Sequence, residues 1–284
     1  MILGQFKLSL ENFFKEQVLG GLPHPHPRSR VYRSEPNSWM IEDMPSEKLS
    51  ALILEKAQKE QRPACVFDLD GTLFDVGYRT LGIIQEWLQS DFSRQFNETL
   101  LKKIENISYL HIGYSLSHVF ENAGFDLRNQ EVVRVFGALE KAWKKKFFDG
   151  KTLLKYDTLI ENSNDFIKKL HSMGVEIFYL TGRNSHLMRE GTLKQLQKYD
   201  FPIKEEKNIL LKTNPFLEDA LFKAQAIKII SKEYNIVGNF ENEYLNLASM
   251  SLEVPEAIHV IVDSQHSGRP TPHLPLPVCR ISHF

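Results

Sequence analysis

Four short stretches carry the residues that could do chemistry. Asp68 and Asp70 stand two apart at the end of an apolar run, followed by Gly71 and Thr72. Thr181, Gly182 and Arg183 end a second run, Lys223 lies on an amphipathic stretch, and Gly238, Asn239, Glu241, Asn242 and Glu243 end a later run. Two carboxylates so placed can divide the labour of phosphoryl transfer: one attacks phosphorus, the other donates and then accepts a proton. An anionic substrate met by a carboxylate nucleophile needs neutralisation. A hard cation on oxygen ligands, which Mg²⁺ suits, supplies part of it. A lysine and a hydroxyl beside a backbone N–H supply the rest.

The elements between these residues say how they meet. The runs 64–70, 175–180, 207–211, 235–239 and 258–263 read as buried strands. Helical patterns separate them. Phe166, Ile167, Leu170 and Met173 share a face before Gly174, and Leu221, Ala224, Ile227, Ile230 and Tyr234 share another over 217–234. Strands alternating with helices predict an α/β fold, a parallel sheet covered on both faces. Ligands gather at the carboxyl ends of such strands, where all four stretches lie.

The string F-D-L-D-G-T-L-F-D at 67–75 resembles the first motif of the haloacid dehalogenase (HAD) superfamily of phosphohydrolases. Y-L-T-G-R at 179–183 resembles the second motif, Lys223 the third, and G-N-F-E-N-E at 238–243 occupies the place of the fourth. The similarity runs over about 63–263. It implies a Rossmann-like three-layer core, with Asp68 as nucleophile through an aspartyl-phosphate and Asp70 as general acid and base. Thr181, the Gly182 amide and Lys223 would bind the phosphoryl group. Mg²⁺ would be bound by Asp68, Asp70 through its backbone carbonyl, and fourth-motif side chains, read as Asn239 and Glu243. Asp70 favours phosphoryl transfer over dehalogenation, because family dehalogenases lack that acid. Asn239 stands where the family places an acid. That departure predicts weaker Mg²⁺ binding, with Glu241 or Glu243 compensating, and motivates an alternative: a catalytically weak phosphate-binding or scaffolding protein. A sugar phosphotransferase would use the same residues.

Residues 77–156 read as nearly all helix. The clearest stretch is 131–148, with Val132, Phe136, Leu139, Trp143 and Phe147 on one face. By the resemblance this is a cap inserted between the first two motifs, sized for a small phosphorylated molecule. The expected organisation is an extension at 1–62, a core at 63–76 and 157–284, and the cap at 77–156. Within the extension, 2–19 is roughly helix-spaced, His24 and His26 offer a weak metal pair, and a helix starts at Ser46 and runs to about Glu60. The proline-rich tail from 267 reads as extended.

Other residues have competing readings. Lys212 rivals Lys223. Arg183 is either half of a structural ion pair or a substrate contact. Glu243 could simply favour a helix N-terminus. Asp75 reads as structural, and Arg79, His111, Tyr114 and His118 as packing or surface residues, with a substrate contact from the cap as the alternative. Lys144, Lys145 and Lys146 read as a solvated helix face, with phosphate or nucleic-acid binding as the alternative.

Composition narrows the classes. Basic and acidic residues nearly balance, 35 against 36, so no global field recruits nucleic acid or an anionic membrane. No apolar run is long enough to span a bilayer. Lys7 and Glu11 interrupt any signal-peptide core, and two cysteines, Cys65 and Cys279, make no disulfide framework. These features predict a cytoplasmic protein.

Overall fold

The computed structural model describes residues 39–284. The reading of 2–19 as a helix and the His24–His26 pair lie outside the described residues.

Seven strands form one parallel sheet. In chain order they are β1 (Met40–Asp43), β2 (Pro63–Phe67), β5 (Glu176–Asn184), β6 (Ile209–Lys212), β7 (Asn235–Glu241), β8 (Ile258–Val262) and β9 (Pro277–Ile281). Across the sheet the order is β1-β9-β8-β7-β2-β5-β6. Alternation along β2 shows why its run is apolar throughout. Cys65 and Phe67 enter one layer with Leu49 and Ile53 of α1 (Ser46–Ala57) and Phe166, Ile167 and Leu170 of α7 (Ser163–Ser172). Ala64 and Val66 enter the opposite layer with Ala226, Ile227 and Ile230 of α9 (Asp219–Ile230) and Met250 of α10 (Tyr244–Glu253). A strand buried on both faces cannot alternate polar with apolar residues.

Two strands at one side of the sheet were not anticipated. β9 lies inside the proline-rich tail, and β1 pairs with it in parallel, Ile41 opposite Val278. Residues 40–57, read from the sequence as extension, therefore belong to the core, and α1 packs directly on the sheet.

The chain leaves the sheet after β3 (Phe74–Asp75) and returns through β4 (Thr158–Leu159), which pair antiparallel. Between them lie five helices: α2 (Gly77–Leu88), α3 (Glu98–Glu105), α4 (Leu116–Asn122), α5 (Gln130–Phe147) and α6 (Gly150–Tyr156). The first four surround a separate apolar cluster that includes Ile84, Trp87, Ile104, Phe120, Val135 and Leu139. The last, α6, packs instead on α8 (Ser185–Lys198), where the backbones approach at Gly150 and Gly191. Among the described residues no helix is long and apolar enough to cross a membrane.

Candidate active site

The first motif is shaped by a turn. β2 ends at Phe67, the Asp68 N–H donates to the Phe240 carbonyl, and Leu69 is buried. Gly71 then takes φ +83°, and a Cβ there would lie 2.2 Å from Asn242 Nδ2. Only glycine fits both the left-handed backbone and that approach. The turn brings Thr72 back over Asp68, its hydroxyl donating to Asp68 Oδ2 at 3.2 Å.

Lys223 reaches Asp68 from α9. Its ammonium donates to Asp68 Oδ1 at 2.6 Å and to Glu241 Oε2 at 2.5 Å. Lys212, the rival, bonds Asp219 at 2.5 Å instead. Thr181 and Gly182 line the same cavity as Asp68 and Asp70; Thr181 Oγ1 accepts from the Arg183 N–H at 3.3 Å.

The two aspartates sit in opposite electrostatic settings. Burial pushes Asp68 up to about 7, helped by the Glu241 charge and opposed by Lys223. Burial also raises Glu241 and Glu243. For Asp70 burial acts in the same direction, but the Arg183 and Arg79 guanidiniums outweigh it and hold the carboxyl well below the usual range. Arg183 Nε and Nη2 donate to Asp70 Oδ1 at 3.0 and 2.5 Å, so Arg183 is an ion-pair partner of Asp70. A cation beside Asp68 and an anion beside Asp70 would reverse both shifts.

Asn239 is not brought to the site. It is fully buried, its Oδ1 lies 2.8 Å from His259 Nδ1, and it does not line the cavity. The register explains this. Ala64 pairs with Ile236 but Cys65 with Gly238, so β7 carries one extra residue, Val237. Phe67 then pairs with Phe240, which leaves Glu241 beside Asp68. Reduced activity argued from Asn239 loses its ground. Glu243 does reach the cavity wall, but Ser267 N and Oγ occupy both its oxygens at 2.6 Å.

The donors that fit Mg²⁺ are thus Asp68 and Asn242, with Glu241 beside them as charge: its Oε2 is bonded to Lys223 and its Oε1 accepts from the Asn242 and Glu243 N–H groups at 3.2 and 3.1 Å. Thr72 Oγ1 lies 3.2 Å from Asp68 Oδ2 and 3.4 Å from Asn242 Oδ1, so one hydroxyl lies within reach of both oxygens. Both are hard oxygen donors, and two buried carboxylates share one ammonium, an excess of negative charge that a divalent cation would balance. Among the described residues no three His, Cys, Asp or Glu side chains gather in metal-binding geometry. Mg²⁺ needs only one or two carboxylates beside substrate oxygens and waters.

Several contributors escaped the sequence reading. Arg79, taken for a packing residue, is fully buried against Asp70 and Asp157. Asp157 was not singled out at all. The loop after β8 closes one wall: Ser264 Oγ donates to the Gly71 carbonyl and Asn242 Nδ2 to the Gln265 carbonyl, each at 2.6 Å. The strand-end rule applied to β8 gives Asp263 as a residue that bonds a turn or backs the site, one position short of Ser264. Asp75 is a bracket, accepting from the Gly77 N–H at 2.8 Å and from the Tyr109 hydroxyl.

The cavity measures about 1030 Å³, with the sheet end as its floor. Tyr109, Tyr114, Trp143 and Phe148 line it from the helical segment. Lys144, Lys145 and Lys146 line it too, so their stretch is not purely a solvated face.

A parallel sheet with an Asp-x-Asp turn, a lysine and a Thr-Gly pair at one end is the arrangement that the HAD resemblance implies. The profile described as HAD superfamily, subfamily IIIB (acid phosphatase) matches residues 97–262, more than half of the chain, and the protein belongs to that family. The match begins beyond the first motif. A solved candidate phosphatase from Clostridium difficile is similar at 14% identity and a TM-score of 0.50, over 78% of this chain and 94% of that one. A candidate haloacid dehalogenase-like hydrolase from Bacteroides fragilis is 13% identical, with a TM-score of 0.47, over 79% and 98%. The first likeness bears on the fold alone. No curated protein matches the chain.

Proposed function

We propose that the protein is a Mg²⁺-dependent phosphatase that hydrolyses a small phosphomonoester through an aspartyl-phosphate on Asp68. The observation that carries this reading is the Lys223 ammonium, buried and shared between Asp68 and Glu241, at a cavity that Asp70, Thr181 and Gly182 also line.

Asp68 attacks phosphorus in line with the departing alkoxide. Lys223 orients it and, with Thr181 Oγ1 and the Gly182 amide, stabilises charge on the transferring phosphoryl oxygens. Asp70 gives its proton to the leaving oxygen and then takes one from the water that cleaves the aspartyl-phosphate. In the free site Asp70 is ionised; a phosphate beside it favours the protonated form. Mg²⁺, held by Asp68, the Asp70 carbonyl and Asn242 with the Glu241 charge beside them, would supply charge neutralisation between nucleophile and phosphate. Residues 77–156 serve as the cap, presenting Trp143, Tyr114 and Phe148 to the leaving group and excluding water during attack. The cavity suits a small molecule.

The test is release of p-nitrophenol from p-nitrophenyl phosphate with Mg²⁺, with EDTA, and with Asp68→Asn. Turnover that requires both Mg²⁺ and Asp68 supports the reading. Turnover that survives Asp68→Asn overturns it.

A further inference from the structure

We infer that Arg79 and Asp157 are positioning residues that leave one chosen oxygen of Asp70, Oδ2, to exchange the proton with the substrate. The inference rests on the function proposed above.

Four charged side chains form a closed quartet under the site. Arg79, on the first turn of α2, uses its whole guanidinium. Nε and Nη2 donate to Asp157 at 2.7 and 2.5 Å, and Nη2 and Nη1 donate to Asp70 at 3.1 and 3.5 Å. Nη1 also donates to the Phe147 carbonyl at the end of α5, at 3.1 Å, and the guanidinium stacks over the Phe147 ring. A guanidinium that spends every N–H in a planar fork has one orientation. Asp157 accepts in addition from Gln195 Nε2 at 2.9 Å and Arg183 Nη2 at 3.4 Å.

The bonds on Asp70 are unequal. Oδ1 accepts from Arg183 Nε, Arg183 Nη2 and Arg79 Nη2. Oδ2 has only the 3.5 Å contact to Arg79 Nη1. Asp70 is also the one member with appreciable exposure, 27% of its side chain, against 0% for Arg79 and Asp157 and 1% for Arg183. The anchored oxygen and the available oxygen are thereby distinguished.

Burying two guanidiniums and two carboxylates is a poor route to stability, since apolar residues of similar volume do as well. Asp157 does not line the cavity and cannot touch a substrate. What it does is fix Arg79, and Arg79 with Arg183 fixes Asp70. The proton moves from Asp70 Oδ2 to the leaving oxygen as the phosphorus–oxygen bond breaks and the bond from Asp68 forms; Oδ2 then recovers a proton from the attacking water.

Leaving-group dependence tests this. Phenyl phosphate and p-nitrophenyl phosphate have similar shapes, but phenolate leaves poorly and needs the proton more. The full chain is assayed with both esters as wild type, as the charge-balanced double variant Arg79→Gln/Asp157→Asn, and as Arg79→Lys, with thermal melting to confirm folding. We expect kcat/KM to fall for both esters in both variants, and roughly tenfold or more further for phenyl phosphate, within the range a general acid contributes. Should the double variant not fold, Arg79→Lys carries the test, because an ammonium with three N–H donors on a freely turning end cannot reproduce the five fixed bonds of the guanidinium plane. Equal losses for the two esters, or unchanged ratios, overturn the inference and leave the phosphatase reading standing. A wild type that hydrolyses neither ester overturns both.

Discussion

The Lys223 ammonium lies 2.6 Å from Asp68 Oδ1, with both side chains almost fully withdrawn from solvent. The same ammonium neutralises Glu241, so one positive charge answers two buried carboxylates. Removing either kind of charge has different consequences.

Lys223→Met leaves Asp68 and Glu241 without a counter-charge. Breaking a buried pair by deleting one partner costs about 3–5 kcal/mol, and urea denaturation should show a loss of that order together with loss of turnover. Adding Glu241→Gln to Lys223→Met should restore part of the stability, because it removes the repulsion between the two carboxylates, but none of the activity.

Metal dependence should separate the two fourth-motif candidates. Glu241→Gln removes a carboxylate beside Asp68 and should raise the half-saturating Mg²⁺ concentration by about 10-fold or more. Asn239→Asp should leave it unchanged, because Asn239 faces His259 rather than the cavity. A Mg²⁺ titration of hydrolysis compares them. A tighter response in Asn239→Asp would restore Asn239 as a ligand.

His259 sets a pH dependence of stability. Burial lowers it from 6.5 to about 4. As pH falls below 6.5 the unfolded chain takes up a proton that the folded protein refuses until about pH 4, so stability falls across that window and the penalty levels off below it. Between pH 7.5 and 5 the loss from this group is about 2 kcal/mol. His259→Gln, which can keep a bond to Asn239, should remove that share of the slope in denaturation curves taken at the two pH values.

Gly71→Ala combines a left-handed backbone with a Cβ 2.2 Å from Asn242 Nδ2. The substitution should cost at least about 1 kcal/mol and displace Asn242 from Thr72. A lower melting temperature with a weakened Mg²⁺ response is expected. An unchanged Mg²⁺ response would remove Asn242 from the donor set.

Local pattern carried much of this protein. The runs at β2, β5, β6, β7 and β8 were legible because strands buried on both faces must be apolar, and the Asp68-Leu69-Asp70-Gly71 turn because a strand end with acid and glycine has few other uses. Lys223 was preferred over Lys212 from its helix alone, and its bond to Asp68 accords with that choice. β1 and β9 were not legible: four or five residues with two acids or a proline give no periodicity, and they become strands only by pairing with each other and with β8.

The amino-acid order by itself determined which chemical groups stand at strand ends, since that follows from periodicity and composition within a few residues. Which of those groups share a cavity was decided only by tertiary structure. The extra residue Val237 in β7 carries Glu241 rather than Phe240 to the position beside Asp68, while Asn239 lies against His259; a one-residue change in register reverses every side chain beyond it. Arg79 and Asp157, 78 positions apart, meet because β3 and β4 pair and bring the two ends of the helical segment together. Contact between distant charges depends on chain closure, which no local pattern encodes.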